Sequence, residues 1–303
     1  MTRILVIRLG AFGDFVLSFG PFAAIRARHP DAEITLLTTA PFADLARQAP
    51  WFDQVMLDPR PAWWQVRGLW RLHLQLRGFS LAYDLQTSAR SSRYFLLAGR
   101  PPWSGIAAGC AFPHANPDRG AMHTLERQRE QLEMAGVTEF PEPDLGWLDS
   151  GGFDLPVPYA LLVPGAAPHR PGKRWPAERF AALALRLHRE GITPVVLGTA
   201  SEAPLAAIVR KRCPAARDLT GRTGMADIAG LARRAALAVG NDTGPMHLIT
   251  ALGCPAVVLF SADSDPALTC PRGPGGTWPI VLRVPDLADL TVERVAAALT
   301  EGH

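Results

Sequence analysis

Three stretches of this sequence gather side chains able to do chemistry. The first, Arg8-Leu9-Gly10-Ala11-Phe12-Gly13-Asp14, follows an apolar run and opens a helical pattern. Glycines there permit a sharp turn and a close approach to a ligand. Asp14 suits a general base at the mouth of a site, or, more plainly, a first-turn acid facing the helix dipole. The spacing is not GxGxxG, and the second strand ends in Thr38-Thr39 where a dinucleotide fold would carry an acid. The second stretch, Gly240-Asn241-Asp242-Thr243-Gly244-Pro245-Met246-His247, ends a buried strand and starts a helix with cap residues and a first-turn proline. Free N–H groups at such a helix start bind anions, and His247 adds a donor to a phosphate. The third is Pro164 to Pro176, a proline- and glycine-rich loop around Lys173. Of 31 basic residues only Lys173 and Lys211 are lysine. A compact cation here suits a diphosphate or a leaving oxygen; the plainer alternative is a solvated loop charge.

A phosphate-bearing donor on one side and a base on the other describe group transfer between two bound substrates. The elements that must hold these residues read as alternating strand and helix. Strands are expected at 3–8, 33–38, 54–57 and 81–86, with helices at 15–28, 41–48, 61–79 and 88–98. After a loop-rich stretch, strands are expected at 160–163, 193–198, 235–240, 255–260 and 279–284, with helices at 176–190, 202–212, 226–234 and 245–252. Such alternation predicts α/β structure with parallel sheets. Two series predict two Rossmann-like domains, 1–150 and 151–303, with the boundary near 145–158 and a ligand site in the cleft the sheets face.

The composition agrees. The chain has 303 residues, 48% hydrophobic and 19% charged, which excludes a disordered polymer. No apolar run reaches the roughly 18 residues of a membrane span, and the start is too short in apolar residues for a signal peptide. The four cysteines lack CxxC spacing and read as buried thiols in a reducing compartment. A net charge of +3 gives no argument for nucleic acid. Its distribution is uneven: residues 60–119 carry eight arginines against Asp84 and Asp118, among Trp63, Trp64, Trp70 and Trp103. On a helix over 61–79, Leu69, Leu72 and Leu76 share one face and Arg67 and Arg71 the other, near Trp63, Trp64, Trp70 and Leu74. That face suits an anionic amphiphile or a membrane surface; the plainer alternative is a solvated face with folded-down tryptophans. Asp263-Ser264-Asp265 reads as a polar loop rather than a metal site.

Four segments resemble glycosyltransferase family 9, the bacterial lipopolysaccharide heptosyltransferases: ILVIRLGAFGDFVLSFGPFAAIRARHP, DLQTSARSSR, PGAAPHRPGKRWPAERF and VGNDTGPMHLITALGCP. The resemblance implies a GT-B architecture, with an N-terminal acceptor domain and a C-terminal domain binding ADP-heptose. It implies inverting, metal-independent transfer without a cofactor and without a nucleic-acid partner, in the cytoplasm or at the inner face of the cytoplasmic membrane. Asp14 then matches the base and Lys173 the residue balancing charge on the departing diphosphate. Asp242, Thr243, Gly244 and His247 match the donor turn, Glu202 the acid at the nucleotide ribose, and Thr223 a nucleotide contact. Arg60, Arg67, Arg71, Arg90 and Arg93 fall on the side of an anionic lipid or glycolipid acceptor. The family's two threonines in the lysine loop are replaced here by Ala166-Ala167-Pro168, leaving His169 or Arg170 to substitute. Two alternatives stand beside transfer: a nucleotide-sugar epimerase or hydrolase on the same scaffold, and a non-catalytic binder of anionic lipid.

Overall fold

A computed structural model describes residues 1–148 and 153–301. The chain divides into two compact units, Met1–Trp147 and Leu148–His303. The first is built on β1 (Arg3–Ile7), β2 (Glu33–Thr38), β3 (Gln54–Leu57), β4 (Leu81–Asp84), β5 (Trp103–Gly105) and β6 (Phe112–Pro113). Its helices are α1 (Phe12–Val16), α2 (Phe19–Arg28), α3 (Ala40–Gln48), α4 (Val66–Leu76), α5 (Ala89–Leu97) and α6 (Thr124–Met134). The second is built on β7 (Tyr159–Val163), β8 (Thr193–Val196), β9 (Arg217–Asp218), β10 (Leu237–Asn241), β11 (Ala256–Phe260) and β12 (Ile280–Arg283). Its helices are α7 (Ala177–Arg189), α8 (Ala203–Arg212), α9 (Met225–Arg234), α10 (Gly244–Ala251), α11 (Pro266–Thr269) and α12 (Val292–Glu301).

Both sheets have six strands paired in parallel, in the orders β3-β2-β1-β4-β5-β6 and β12-β11-β10-β7-β8-β9. Helices cover both faces of such sheets, so central strands are apolar throughout rather than alternating. Ile4 to Ile7 and all of β7, β10 and β11 are buried accordingly. In each sheet the winding direction reverses between two neighbours, β1 and β4 in the first and β7 and β10 in the second. Ligands in open α/β sheets bind beyond the carboxyl ends of strands at such reversals. The Asp14 turn leaves β1; the lysine loop leaves β7 and the Asp242 turn leaves β10.

Two local expectations change. The helix expected over 15–28 is two helices broken at Leu17-Ser18, because Pro21 has no N–H to bond back to Leu17 and the chain restarts at a Ser18 cap. The helix expected over 61–79 is shorter, Val66–Leu76. Residues 61–65 fold back over it instead: a Cβ on Gly68 would lie 2.8 Å from Pro61 Cβ, so glycine there makes room for the turn. The short strands β5, β6 and β9 have too few residues to show a pattern. The four cysteines are free and buried, and burial pushes the Cys254 and Cys270 thiols up to about 12.

Candidate active site

In the first unit the turn after β1 is fixed from three directions. The Leu9 N–H donates to Gln86 Oε1 at 2.8 Å, and the Leu9 carbonyl accepts from Thr39 Oγ1 at 3.0 Å and Arg60 Nη2 at 3.3 Å. Gly10 has φ +123°, and a Cβ there would lie 2.9 Å from the Phe42 ring, so only glycine fits. The chain then enters α1, where the Ala11 N–H donates to Asp14 Oδ2 at 3.3 Å. The other carboxylate oxygen lies 3.2 Å from Arg8 Nη2. Asp14 is therefore the first-turn acid of the plainer reading, yet its side chain stays 40% exposed while that of Arg8 is 5% exposed. Arg8 also donates to the Leu85 carbonyl, which ties the pair to the end of β4. Beneath it, Asp84 is fully buried, and its Oδ1 accepts N–H bonds from Gln86 and Thr87 at 3.1 and 3.0 Å. Burial raises its carboxyl to about 6 against those hydrogen bonds and the nearby Arg8 charge. Arg127 on α6 is another cation that feels the Asp14 charge; burial lowers its pKa and Asp14 opposes this.

In the second unit Lys173 and Asp242, 69 residues apart, meet with Nζ 2.5 Å from Oδ2. Both side chains are largely buried. His247 Nε2 lies 4.0 Å from the other oxygen, Oδ1. Asp242 was expected as a helix cap alongside Thr243. Thr243 occupies the cap of α10 through its backbone alone, with no side-chain cap bond, while the Asp242 carboxylate is taken by Lys173. Gly244 is the first residue of α10, and Pro245 follows. A Cβ on Gly240 would lie 2.5 Å from Met246 Sδ, so the missing side chain lets the helix settle on the strand end.

Asn241 is the residue sequence reasoning left without a role. Its buried carboxamide accepts from the Trp175 N–H at 3.0 Å and donates to the Pro164 carbonyl at 2.8 Å and the Gly165 carbonyl at 3.3 Å. One side chain thereby holds both ends of the lysine loop. Within the loop Pro171–Lys173 forms a short 3₁₀ turn, Arg174 Nη2 donates to the Ala166 carbonyl, and Ala166 is buried. His169 and Arg170 are exposed. Glu202 closes the turn after β8: Oε2 accepts from the Thr199 N–H at 2.7 Å and Thr199 Oγ1 at 3.1 Å. Its Oε1 lies against Gly165, where a Cβ would come within 1.7 Å. Glu202 thus touches the lysine loop itself. Thr223 is half-buried just before the Gly224 cap of α9. Asp263 Oδ2 faces Gly172, and Asp265 caps α11 and pairs with Arg283 at 3.4 Å. Among the described residues no three His, Cys, Asp or Glu side chains are placed to hold a metal ion.

The five arginines expected on the acceptor side divide into two kinds. Arg60 reaches Leu9, and Arg90 reaches the Pro61 carbonyl and the Tyr94 hydroxyl at 3.5 and 3.4 Å. Arg67, Arg71 and Arg93 are exposed.

The model of glycosyltransferase family 9 (heptosyltransferase) matches residues 69–277, more than half of the chain. The chain belongs to glycosyltransferase family 9. Among relatives of this family 9 chain is lipopolysaccharide heptosyltransferase 2 of Salmonella typhimurium, 27% identical over 89% of this chain and 85% of that one. The Escherichia coli K12 protein of the same name is 25% identical, with the same coverage. Solved structures share the fold. The family 9 glycosyltransferase from Veillonella parvula superposes with a TM-score of 0.83 at 22% identity, covering 99% and 97% of the two chains. The E. coli ADP-heptose lipopolysaccharide heptosyltransferase II gives 0.75 at 23%, covering 99% and 98%. E. coli heptosyltransferase WaaC with ADP-2-deoxy-2-fluoro heptose gives 0.79 at 20%, covering all of both chains. The family 9 chain is accordingly a glycosyltransferase of GT-B fold, α/β with two six-stranded parallel sheets.

Proposed function

We propose that this enzyme moves a heptose from ADP-heptose to a hydroxyl of a lipopolysaccharide-core acceptor, with inversion at the anomeric carbon and without a metal. The first unit binds the acceptor and the second the nucleotide sugar. The observation that carries the reading is the Lys173–Asp242 pair beside His247, at the carboxyl edge of β7 and β10 and at the head of α10. In the free enzyme Asp242 neutralises the ammonium and aims it. A bound diphosphate adds the negative charge that Lys173, His247 and the N–H groups of α10 are arranged to meet.

The step follows from these roles. The acceptor oxygen bonds to the anomeric carbon from the face opposite the diphosphate. Its proton passes to a carboxylate oxygen of Asp14, held toward the solvent side by Arg8. The bond from the anomeric carbon to the β-phosphate oxygen breaks, and its electron pair leaves with ADP. One displacement from the opposite face inverts the centre. Glu202 and Thr223 flank the nucleoside, while Arg60, Arg67, Arg71, Arg90 and Arg93 supply positive charge for a phosphorylated lipid acceptor. A lipid-linked acceptor places the reaction at the cytoplasmic face of the inner membrane.

The test has two parts. A thermal-shift comparison of ADP, UDP, GDP and dTDP should show stabilisation by ADP above the others. Incubation with ADP-heptose and a delipidated core acceptor should release ADP and form a glycosidic product of inverted configuration. ADP released without acceptor would instead identify a hydrolase, and an epimerised donor an epimerase.

A further inference from the structure

Helix α4 and the turn before it place their tryptophans in water. Trp63, Trp64 and Trp70 are 74%, 67% and 61% exposed, and Val66 and Leu74 are exposed with them. The inner side of α4 is ordinary core: Leu72 and Leu76 are fully buried in the cluster that holds Leu5, Tyr94 and Trp103. Arg67, Trp70, Arg71 and Leu74 follow one another at spacings of three, one and three, so they form a single outer stripe. Trp63 and Trp64 stand beside the start of this stripe, their rings edge to face with centroids 5.6 Å apart. Gly68 makes this arrangement possible, because the turn carrying the two tryptophans packs its Pro61 into the space of the missing Cβ. The stripe is anchored as well. His73 Nδ1 is 2.6 Å from the Leu97 carbonyl of α5, and Arg90 on α5 reaches the Pro61 carbonyl.

Along this segment of the chain the charge is almost all of one sign. Residues 59–117 contain seven arginines and one acid, Asp84. Asp84 is fully buried, and Asp58 just before the stretch is buried and engaged by the Arg60 N–H and the Tyr94 hydroxyl. No carboxylate of the stretch therefore offsets the exposed Arg67, Arg71 and Arg93. A water-exposed tryptophan cluster with exposed arginines on the same stripe matches the chemistry of a bilayer interface: indoles favour the headgroup level, and arginine attracts anionic lipid. Position agrees with chemistry. Arg60, at the start of the patch, donates to the Leu9 carbonyl in the turn that carries Asp14.

We propose that residues 60–74, with Arg93 alongside, dock this enzyme on the surface of an anionic bilayer. The inference rests on the lipid-linked acceptor proposed above for its purpose, and on the patch alone for its evidence. The surface lies on the membrane rather than in it; among the described residues no helix is long and apolar enough to cross one. Trp63, Trp64 and Trp70 enter the headgroup region, and Arg67 and Arg71 pair with lipid phosphates beside them.

The experiment uses the full chain and vesicles free of lipopolysaccharide and of nucleotide sugar, so its outcome stands whether or not the chain transfers heptose. Co-sedimentation is measured with vesicles of phosphatidylethanolamine and phosphatidylglycerol, and with vesicles of phosphatidylcholine. Binding is expected to the anionic vesicles, with a blue shift of tryptophan emission and weakening in high salt. The triple variant Trp63→Ser/Trp64→Ser/Trp70→Ser should lose the blue shift and the binding with an unchanged melting temperature, since these rings are exposed. Arg67→Glu/Arg71→Glu should weaken anionic binding by at least about tenfold. No sedimentation with anionic vesicles, or binding by the triple tryptophan variant equal to the parent, overturns the proposal. So does a tryptophan-dependent dimer without vesicle binding, which would make the patch a contact between copies of the chain.

Discussion

The guanidinium of Arg8 and the carboxylate of Asp14 form a 3.2 Å ion pair in which one partner is buried and the other open. The buried partner is fixed by the Leu85 carbonyl, so the open one is held from below. Asp14→Asn should lower kcat by roughly 10²–10⁴-fold, the usual worth of a general base, with ADP affinity unchanged. Arg8→Met should act through Asp14: kcat falls, Asp14→Asn adds little further loss in that background, and the pH–rate profile shifts. Steady-state ADP release across pH measures both. An Arg8→Met enzyme with the parent's profile would remove Arg8 from the positioning role.

Lys173 and Asp242 should prove coupled in stability and separate in catalysis. Removing one partner of a buried pair strands the other charge, at a cost of about 3–5 kcal/mol. Lys173→Met alone should therefore destabilise the fold strongly. Lys173→Met/Asp242→Asn should recover much of that stability yet remain inactive, because the cation for the diphosphate is still missing. Urea unfolding of the two single variants and the double closes the cycle.

Gly165 and Glu202 compete for one volume. A Cβ at Gly165 would fall 1.7 Å from Glu202 Oε1 and 2.2 Å from its Cδ. Gly165→Ala should destabilise by about 1–3 kcal/mol, as overpacking does, and weaken ADP binding as the carboxylate is pushed aside. Glu202→Ala should relieve most of the stability loss without restoring the affinity. Calorimetric titration with ADP, paired with thermal melts, separates the two effects.

Asp84 gives a pH signature. Its folded-state carboxyl titrates near 6, above the 3.8 of an unperturbed aspartate, so the folded state binds its proton more tightly. Its contribution is then favourable below about pH 4 and is lost as pH rises toward 6. The difference is about 3 kcal/mol at 1.36 kcal/mol per unit. Asp84→Asn keeps an oxygen for the Gln86 and Thr87 N–H groups but cannot ionise. The variant should gain stability relative to the parent at pH 7 and lose that advantage by pH 4. A parallel pair of stability curves between those pH values would rule out this titration.

Much of the fold was legible because central parallel strands are apolar throughout and glycine, cap and proline residues mark where they end. Residues 237–246 carry all of those signals in order. Short elements were not legible: Phe112–Pro113 forms a strand only through its pairing with Trp103–Gly105, which no local pattern encodes. Pro21 was visible, but its power to split a helix depends on the Ser18 restart. At the site, Lys173 stood out by rarity and Asp14 by its glycine turn. Local pattern marks Asp242 as a cap or donor-turn residue and does not show its ion pair, because the lysine that claims it lies 69 residues away. Arg8 and Asn241 escaped for the same reason. Each lies inside a recognised motif, and each acts through partners distant in sequence, Leu85 for one and Pro164 with Gly165 for the other.

The Asn241 carboxamide bridges Gly165 and Trp175, eleven residues of proline-rich chain gathered at one amide. The conformational freedom of that chain is surrendered when the second unit folds, long before a nucleotide arrives. Donor capture therefore begins from a loop already in shape, and the affinity it yields is not diminished by the entropy of assembling it. Asn241→Ala should reveal the difference as a more negative binding entropy for ADP.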